Sequence, residues 1–180
     1  LGVTAGLLIA WYRPLSTFIT PLLEVFRNTA ALALLPVFTL LLGIGEESKI
    51  TIVAYAAFFP VLLNTVAGVR TVDPLLVRAA RSLGLSHPAL FRKVILPSAV
   101  PTIFTGIRMA GTASILVLIA AEMVGAKAGL GYLIVNAQSS FLIPDMYAGI
   151  LTVSLLGLAV NTLLVALERR FSRWRVAANA

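Results

Sequence analysis

Long apolar runs dominate the chain, and its polar residues collect at the joints between them. Residues 1–11, 28–44, 50–69, 98–124 and 146–167 form five such runs. Roughly 20 apolar residues carry a helix across a hydrocarbon core of about 30 Å. The first run therefore reads as the tail of a spanning helix and the other four as spans. The run 28–44 is short, and the half-apolar stretch 21–27 extends it. Runs 50–69 and 146–167 carry no charge, whereas 98–124 is interrupted by Arg108 and Glu122. Pro36 and Pro60 lie inside spans, where neighbouring helices can satisfy the carbonyls they free. The predicted fold is all-α: one polytopic transmembrane domain over residues 1–180, with a polar loop at 70–97 and a polar tail at 168–180. The chain opens on Leu1 within an apolar run, with no initiating Met and no signal-peptide pattern. An N-terminal truncation that removed at least one helix is the expectation.

Composition agrees that lipid is the solvent. Mean hydropathy is +1.00, and 12% of the residues are charged, against about a quarter in soluble domains. A soluble fold of this length could not hide so much apolar surface. The formal charge of +7 raises the question of nucleic acid, because basic proteins bind phosphate backbones. Here the positive charges flank apolar runs, which is a membrane pattern, and no nucleic-acid partner is expected. With no cysteine and a single histidine, His87, neither a disulfide nor a thiolate metal site can form, and His87 cannot hold a metal unaided.

Arg13, Arg27, Arg70, Arg78, Arg81, Arg92, Lys93, Arg169, Arg170, Arg173 and Arg175 fall on one side of the alternating spans, and only Lys49 and Lys127 on the other. Lys and Arg near span ends favour the cytoplasm. That asymmetry puts the 70–97 loop and the 168–180 tail inside.

Within that loop, residues 73–97 read as two short helices joined at a corner. Asp73 can cap a helix whose first position is Pro74, where a missing N–H costs nothing. Leu75, Leu76, Ala79, Ala80 and Leu83 recur at helical spacing as one apolar face, with Arg78 and Arg81 beside it. Gly84 suits the left-handed residue that ends a helix. Ser86 is placed to cap a second helix through Leu90, Phe91, Val94 and Ile95, ending at Pro97. The small pair Ala79-Ala80 lets another backbone approach. On pattern alone the hairpin is either a passive amphipathic element on lipid phosphates or a docking surface for a soluble partner.

The spacing Ala79-Ala80, Gly84, then Val94-Ile95-Leu96-Pro97 resembles the EAA loop of permease subunits in bacterial ATP-binding-cassette importers. Arg78 stands where that motif opens on an acidic residue, and Val94 where Ile is usual. Further blocks are similar to the nitrate/sulfonate/taurine-type permeases. They are Arg27-Asn28 with Leu32 to Pro36 (Ala30 replacing a proline), Phe59-Pro60, Asn64-Thr65, Gly68, Val72-Asp73, Gly106-Ile107-Arg108, Ala121-Glu122-Met123 and Gly129-Leu130-Gly131-Tyr132.

The resemblance implies a multi-pass protein of the bacterial inner membrane, a homodimer working with two copies of an ATPase subunit that binds ATP and Mg. Arg78, Ala79, Ala80, Ser82, Leu83, Gly84 and Leu85 would couple to that ATPase, with Leu96 and Pro97 closing the loop. A periplasmic or lipid-anchored binding protein would deliver a small, anionic solute of the nitrate, sulfonate, taurine or bicarbonate class. No cofactor is expected on this chain, nor is any catalysis, since no nucleophile–base pair stands in it. The rival is an energy-independent channel or secondary carrier with the hairpin as a lipid anchor; such carriers usually need mid-membrane coupling carboxylates.

Ionisable residues inside a span are functional candidates by default. Arg108 and Glu122 lie fourteen positions apart on one run, roughly 21 Å at 1.5 Å per residue, too far to pair. Each has two readings: Arg108 snorkels or faces the pathway, and Glu122 packs helices near the outer interface or contacts a gate. Asn64 packs against another helix or lines the path. His87 reads as a solvated loop residue. The glycines at 125, 129 and 131 lack the Lys-Ser/Thr of a phosphate loop and read as an outer turn. Asn136, Gln138, Ser139 and Ser140 form a polar outer patch, either a contact for a delivery protein or simply a loop.

Overall fold

The computed structural model describes residues 1–11, 19, 23, 25, 26, 29 and 31–171. Helix α1 spans Gly2–Trp11. A 3-10 turn at Ala31–Leu34 leads into α2, Leu35–Leu42. Then follow α3, Glu46–Arg70, α4, Pro74–Ser82, and α5, His87–Leu90. A π-helical turn at Phe91–Ile95 joins α5 to α6, Leu96–Gly125. The chain closes with α7, Leu130–Ser139, and α8, Ile143–Phe171.

Among the described residues three stretches are long and apolar enough to cross a membrane: Glu46–Arg70, His87–Gly125 and Ile143–Arg170, of 25, 39 and 28 residues. They contain the runs expected at 50–69, 98–124 and 146–167. Charge marks the ends of the first and third: Glu46 and Glu47 open α3 and Arg70 closes it. Asp145 opens α8, and Arg169 and Arg170 close it. Acids at helix starts and bases at helix ends complement the helix dipole.

The antiparallel pair α3–α6 makes the most extensive contact in the molecule. Glycine lets the backbones meet: a Cβ on Gly106 would sit 2.6 Å from Asn64 Cβ, and one on Gly68 3.0 Å from Thr102 Cβ. In lipid, close packing of small residues replaces the hydrophobic drive that water would supply. Helix α1 lies along α3 in the same way, with Gly6 against Thr65. One core cluster, Ile9 with Leu62 and Val66, lies toward the Arg70 end. A second, Leu35 with Ile52, Val117 and Ala121, lies toward the Glu46 end.

Two expectations need correction. No single helix covers 28–44. Pro36 stands in the first turn of α2, where its missing N–H costs nothing although deeper in a helix it would break the ladder, so a new helix starts there. Gly43, at φ +82°, ends it. The described residues before it climb α3 in steps. Ile19 and Leu23 rest on the Leu62–Val66 cluster, the Tyr55 hydroxyl donates to Phe26 O at 3.0 Å, and Leu35 reaches Ile52. The hairpin's second helix, expected to stop at Pro97, instead runs unbroken to Gly125. Pro97 has no N–H, and its ring would collide with the carbonyl four residues back. The π turn before it, with Leu96 N–H bonded to Phe91 O, widens the helix at that carbonyl. At 1.5 Å per residue the 39-residue helix is about 58 Å long, so it carries α4 well clear of a 30 Å core. Arg13, Arg27, Asn28, Ala30, Arg173 and Arg175 lie outside the described residues.

Candidate functional site

Local chemistry builds the hairpin. Asp73 Oδ1 accepts from Leu75 N at 2.7 Å, and Pro74 opens α4. At the other end Gly84 takes φ +76°, its N–H donates to Arg81 O at 2.9 Å, and Leu85 N–H reaches back to Ala80 O at 3.2 Å. This pair of bonds satisfies carbonyls the helix would otherwise leave open. Ser82 Oγ donates to Arg78 O at 3.2 Å. Ser86 sits at the start of α5 without a side-chain cap; its carbonyl accepts from Leu90 N at 2.8 Å. His87 is exposed.

The apolar face expected over Leu75, Leu76, Ala79, Ala80 and Leu83 divides in two. Ala80 (6% exposed) and Leu90 (2%) are buried within the protein itself. Leu75, Leu76 and Leu83 remain 68%, 50% and 80% exposed, and Ala79 is exposed beside them. These four side chains fall within an arc of about 100° at 3.6 residues per turn. Ser82 and Arg78 border the Leu75 edge of the stripe and Arg81 lies across the helix from it, all three exposed, and Leu85 is half-buried. Ala80 therefore seats α4 on its own hairpin, and Ala79 alone of the small pair faces outward. Leu96 and Pro97, half-buried, begin α6. Trp11 meets Phe91 of the π turn edge-on, ring centroids 4.9 Å apart; no local sequence signal links residues so distant.

The membrane charges find partners. Arg108 Nη1 lies 3.2 Å from Glu168 Oε2 of α8, their side chains 38% and 22% exposed. Glu168 escaped the sequence reading because it sits one residue past the uncharged run. Glu122 and Arg108 stand apart on α6; Glu122 Oε2 accepts from Gly131 N at 2.9 Å, at the start of α7. Gly129, at φ +120°, passes over the carboxylate so closely that a Cβ there would collide with Glu122 Cδ. Asn64 donates to Pro60 O at 2.8 Å and lies 3.7 Å from Met109 Sδ, at the α3–α6 crossing. The polar patch expected outside is helical rather than a loop: Asn136, Gln138 and Ser139 belong to α7, and Ser140 follows it. Helix α7 packs on both α6 and α8.

Comparison with known proteins places these features in context. A family model described as "Binding-protein-dependent transport system inner membrane component" matches residues 2–173. A "Probable ABC transporter permease protein" of Brucella abortus is 35% identical over 178 residues, covering 99% of this chain and 71% of that protein. The taurine transport system permease protein of Escherichia coli is 36% identical, covering 96% of this chain and 63% of that protein. Among solved structures, an inward-facing MetNI methionine ABC transporter superposes with a TM-score of 0.74 at 19% identity, over 95% of this chain and 86% of that one. That likeness shows the fold.

Proposed function

This chain belongs to the family of binding-protein-dependent transport inner-membrane components, and from that premise we propose that α4 is where its energy enters and that its cargo is a small anion. Membership makes it the multi-pass membrane permease subunit of an ATP-driven importer. The finer reading has four parts. A separate ATPase docks on the α4 hairpin; two permease copies and two ATPases form the working complex; the hairpin and the C-terminal end are cytoplasmic; and a binding protein delivers solute at the opposite face. The one transmembrane domain extends over residues 1–180.

A single observation carries this reading. A stripe of Leu75, Leu76, Ala79 and Leu83 stands exposed on a capped helix at the Arg- and Lys-rich end of the molecule. Water does not favour such an arrangement unless a partner covers it. Arg78 near its edge suits an acidic rim on the partner. Hydrolysis in the ATPase would draw two such hairpins together. Because α5, the π turn and α6 form one continuous helix, a push on α4 reaches the membrane through α6. The taurine permease relative supports a cargo of the sulfonate class; nitrate and bicarbonate have comparable chemistry.

The test is co-purification of the ATPase with full-length permease whose residues 74–86 are replaced by a Gly/Ser linker. The variant should insert normally and lose both the ATPase and ATP-dependent uptake. Undiminished ATPase retention would reject the docking surface. Uptake that persists without the ATPase would return the protein to the channel or secondary-carrier reading.

A further inference from the structure

Helix α8 is attached to the rest of the molecule at two levels. Near its start, Gly149 tucks under Ile134 and Leu133 of α7, with a Cβ site 2.8 and 2.9 Å from them. Near its end, Leu164 Cδ1 fills the space above Gly111 of α6, 2.6 Å from where a Cβ would be. Between these levels the helices part around a cleft of about 390 Å³ lined by Thr112, Ile115, Leu116, Ser154, Gly157 and Asn161. One turn beyond Leu164 comes Glu168, and one turn before Gly111 comes Arg108. Their 3.2 Å contact is the next rung of the same ladder.

Glu168 Oε2 is buried and makes no hydrogen bond. Withdrawing a carboxylate oxygen from water is costly unless a charge neutralises it, and among the described residues Arg108 supplies that charge. The neutralisation is mutual. An anion seeking Arg108 would meet a carboxylate already held at its Nη1.

We propose that Arg108 and Glu168 are positioning residues, an ionic clasp that holds the inner end of α8 against α6 and sets the width of the cleft between them. The clasp does not contact solute. It rests on the transport reading only for its uptake readout, and a second readout is independent of transport.

Residues 1–180 hold no cysteine, so a Gly111→Cys/Leu164→Cys pair, in a full-length permease–ATPase complex freed of any cysteine elsewhere, reports helix separation by oxidative cross-linking. Arg108→Glu and Glu168→Arg, each alone, place like charges face to face. Each should slow cross-linking several-fold and cut the maximal uptake rate roughly tenfold, with half-saturation within about twofold of native. The double variant Arg108→Glu/Glu168→Arg restores opposite charge and should recover both readouts to within about twofold. If the reversals fail to insert, Arg108→Met/Glu168→Met removes both charges and should still slow cross-linking. Single variants that cross-link at the native rate would overturn the clasp, as would a double variant no better than the singles. A raised half-saturating concentration that the swap does not correct would instead put Arg108 in contact with the solute. Absence of uptake in the native complex, with cross-linking following charge as described, would fail the transport reading and leave the clasp standing.

Discussion

The Glu122 carboxylate closes on the backbone of Gly131, its Oε2 2.9 Å from the Gly131 nitrogen. A carboxylate at a helix N-terminus satisfies a donor the helix cannot bond itself and meets the positive end of the dipole. Two glycines make the approach possible. A Cβ on Gly131 would strike the Ile119 carbonyl and one on Gly129 the carboxylate itself. In physical terms the Ala121-Glu122-Met123 and Gly129-Leu130-Gly131-Tyr132 blocks are one joint.

That joint predicts an order of stabilities. Glu122→Ala strips a charge-assisted bond and should cost about 1–3 kcal/mol. Gly131→Ala overpacks the joint at a similar cost, about 1–3 kcal/mol. Glu122→Gln keeps an oxygen acceptor and should cost less than either. Thermal unfolding of the purified permease in detergent gives the ranking. A native midpoint for Gly131→Ala would mean that α7 does not pack as described.

What the sequence made legible was local. Asp73-Pro74 and Gly84 announce the start and stop of α4 because caps depend on a few adjacent residues. The uncharged runs at 50–69 and 146–167 announce helices because the bilayer's thickness sets their length. The rest depended on distant packing. Glu168 lies sixty residues from Arg108, and nothing near either names the other. Ala79 and Ala80 are equivalent in composition, and only the seating of the hairpin on itself sends one in and the other out. Pro36 and Pro97 look alike in sequence, yet one starts a new helix while the π turn carries a helix through the other.

Topology can be read with single cysteines, since residues 1–180 contain none and any beyond them can be replaced by Ser. Ser140 and Lys127 are exposed at the end away from the hairpin; if the hairpin is cytoplasmic as proposed, Ser140→Cys and Lys127→Cys should react with an impermeant thiol reagent added to intact cells. Ser86, exposed on the hairpin, should react as Ser86→Cys only once the membrane is opened. Ser48 is a poor reporter at 3% exposure. Labelling of Ser86→Cys in sealed cells would invert the orientation.

The Trp11–Phe91 contact ties α1 to the π turn through which α4 reaches α6. Such an aromatic pair contributes about 0.5–1.5 kcal/mol beyond its area, too little to unfold the protein when lost. Trp11→Ala should therefore leave ATPase retention and basal hydrolysis near native while lowering solute-stimulated hydrolysis several-fold. Trp11→Phe should preserve most of the stimulation. Equal stimulation in native and Trp11→Ala complexes would show that α1 takes no part in transmission.

The division of the α4 face makes the decisive substitution Ala79→Asp rather than Ala80→Asp. Ala80 is buried in its own hairpin, so a charge there would unseat α4 whether or not anything docks on it. Ala79 sits among exposed Leu75, Leu76 and Leu83, where an Asp in the free permease stays in water at little cost. Only a bound partner would bury that charge, and burying an unpaired carboxylate is expensive. Ala79→Asp should therefore leave insertion native and stability within about 0.5 kcal/mol of native, as for exposed substitutions generally, while releasing the ATPase and abolishing ATP-dependent uptake. Ala80→Asp should lower the midpoint as well. A passive surface hairpin predicts otherwise, because Ala79→Asp would then only weaken contact with anionic lipid. ATPase retained in full by Ala79→Asp, with normal solute-stimulated hydrolysis, would remove the exposed stripe from the coupling path.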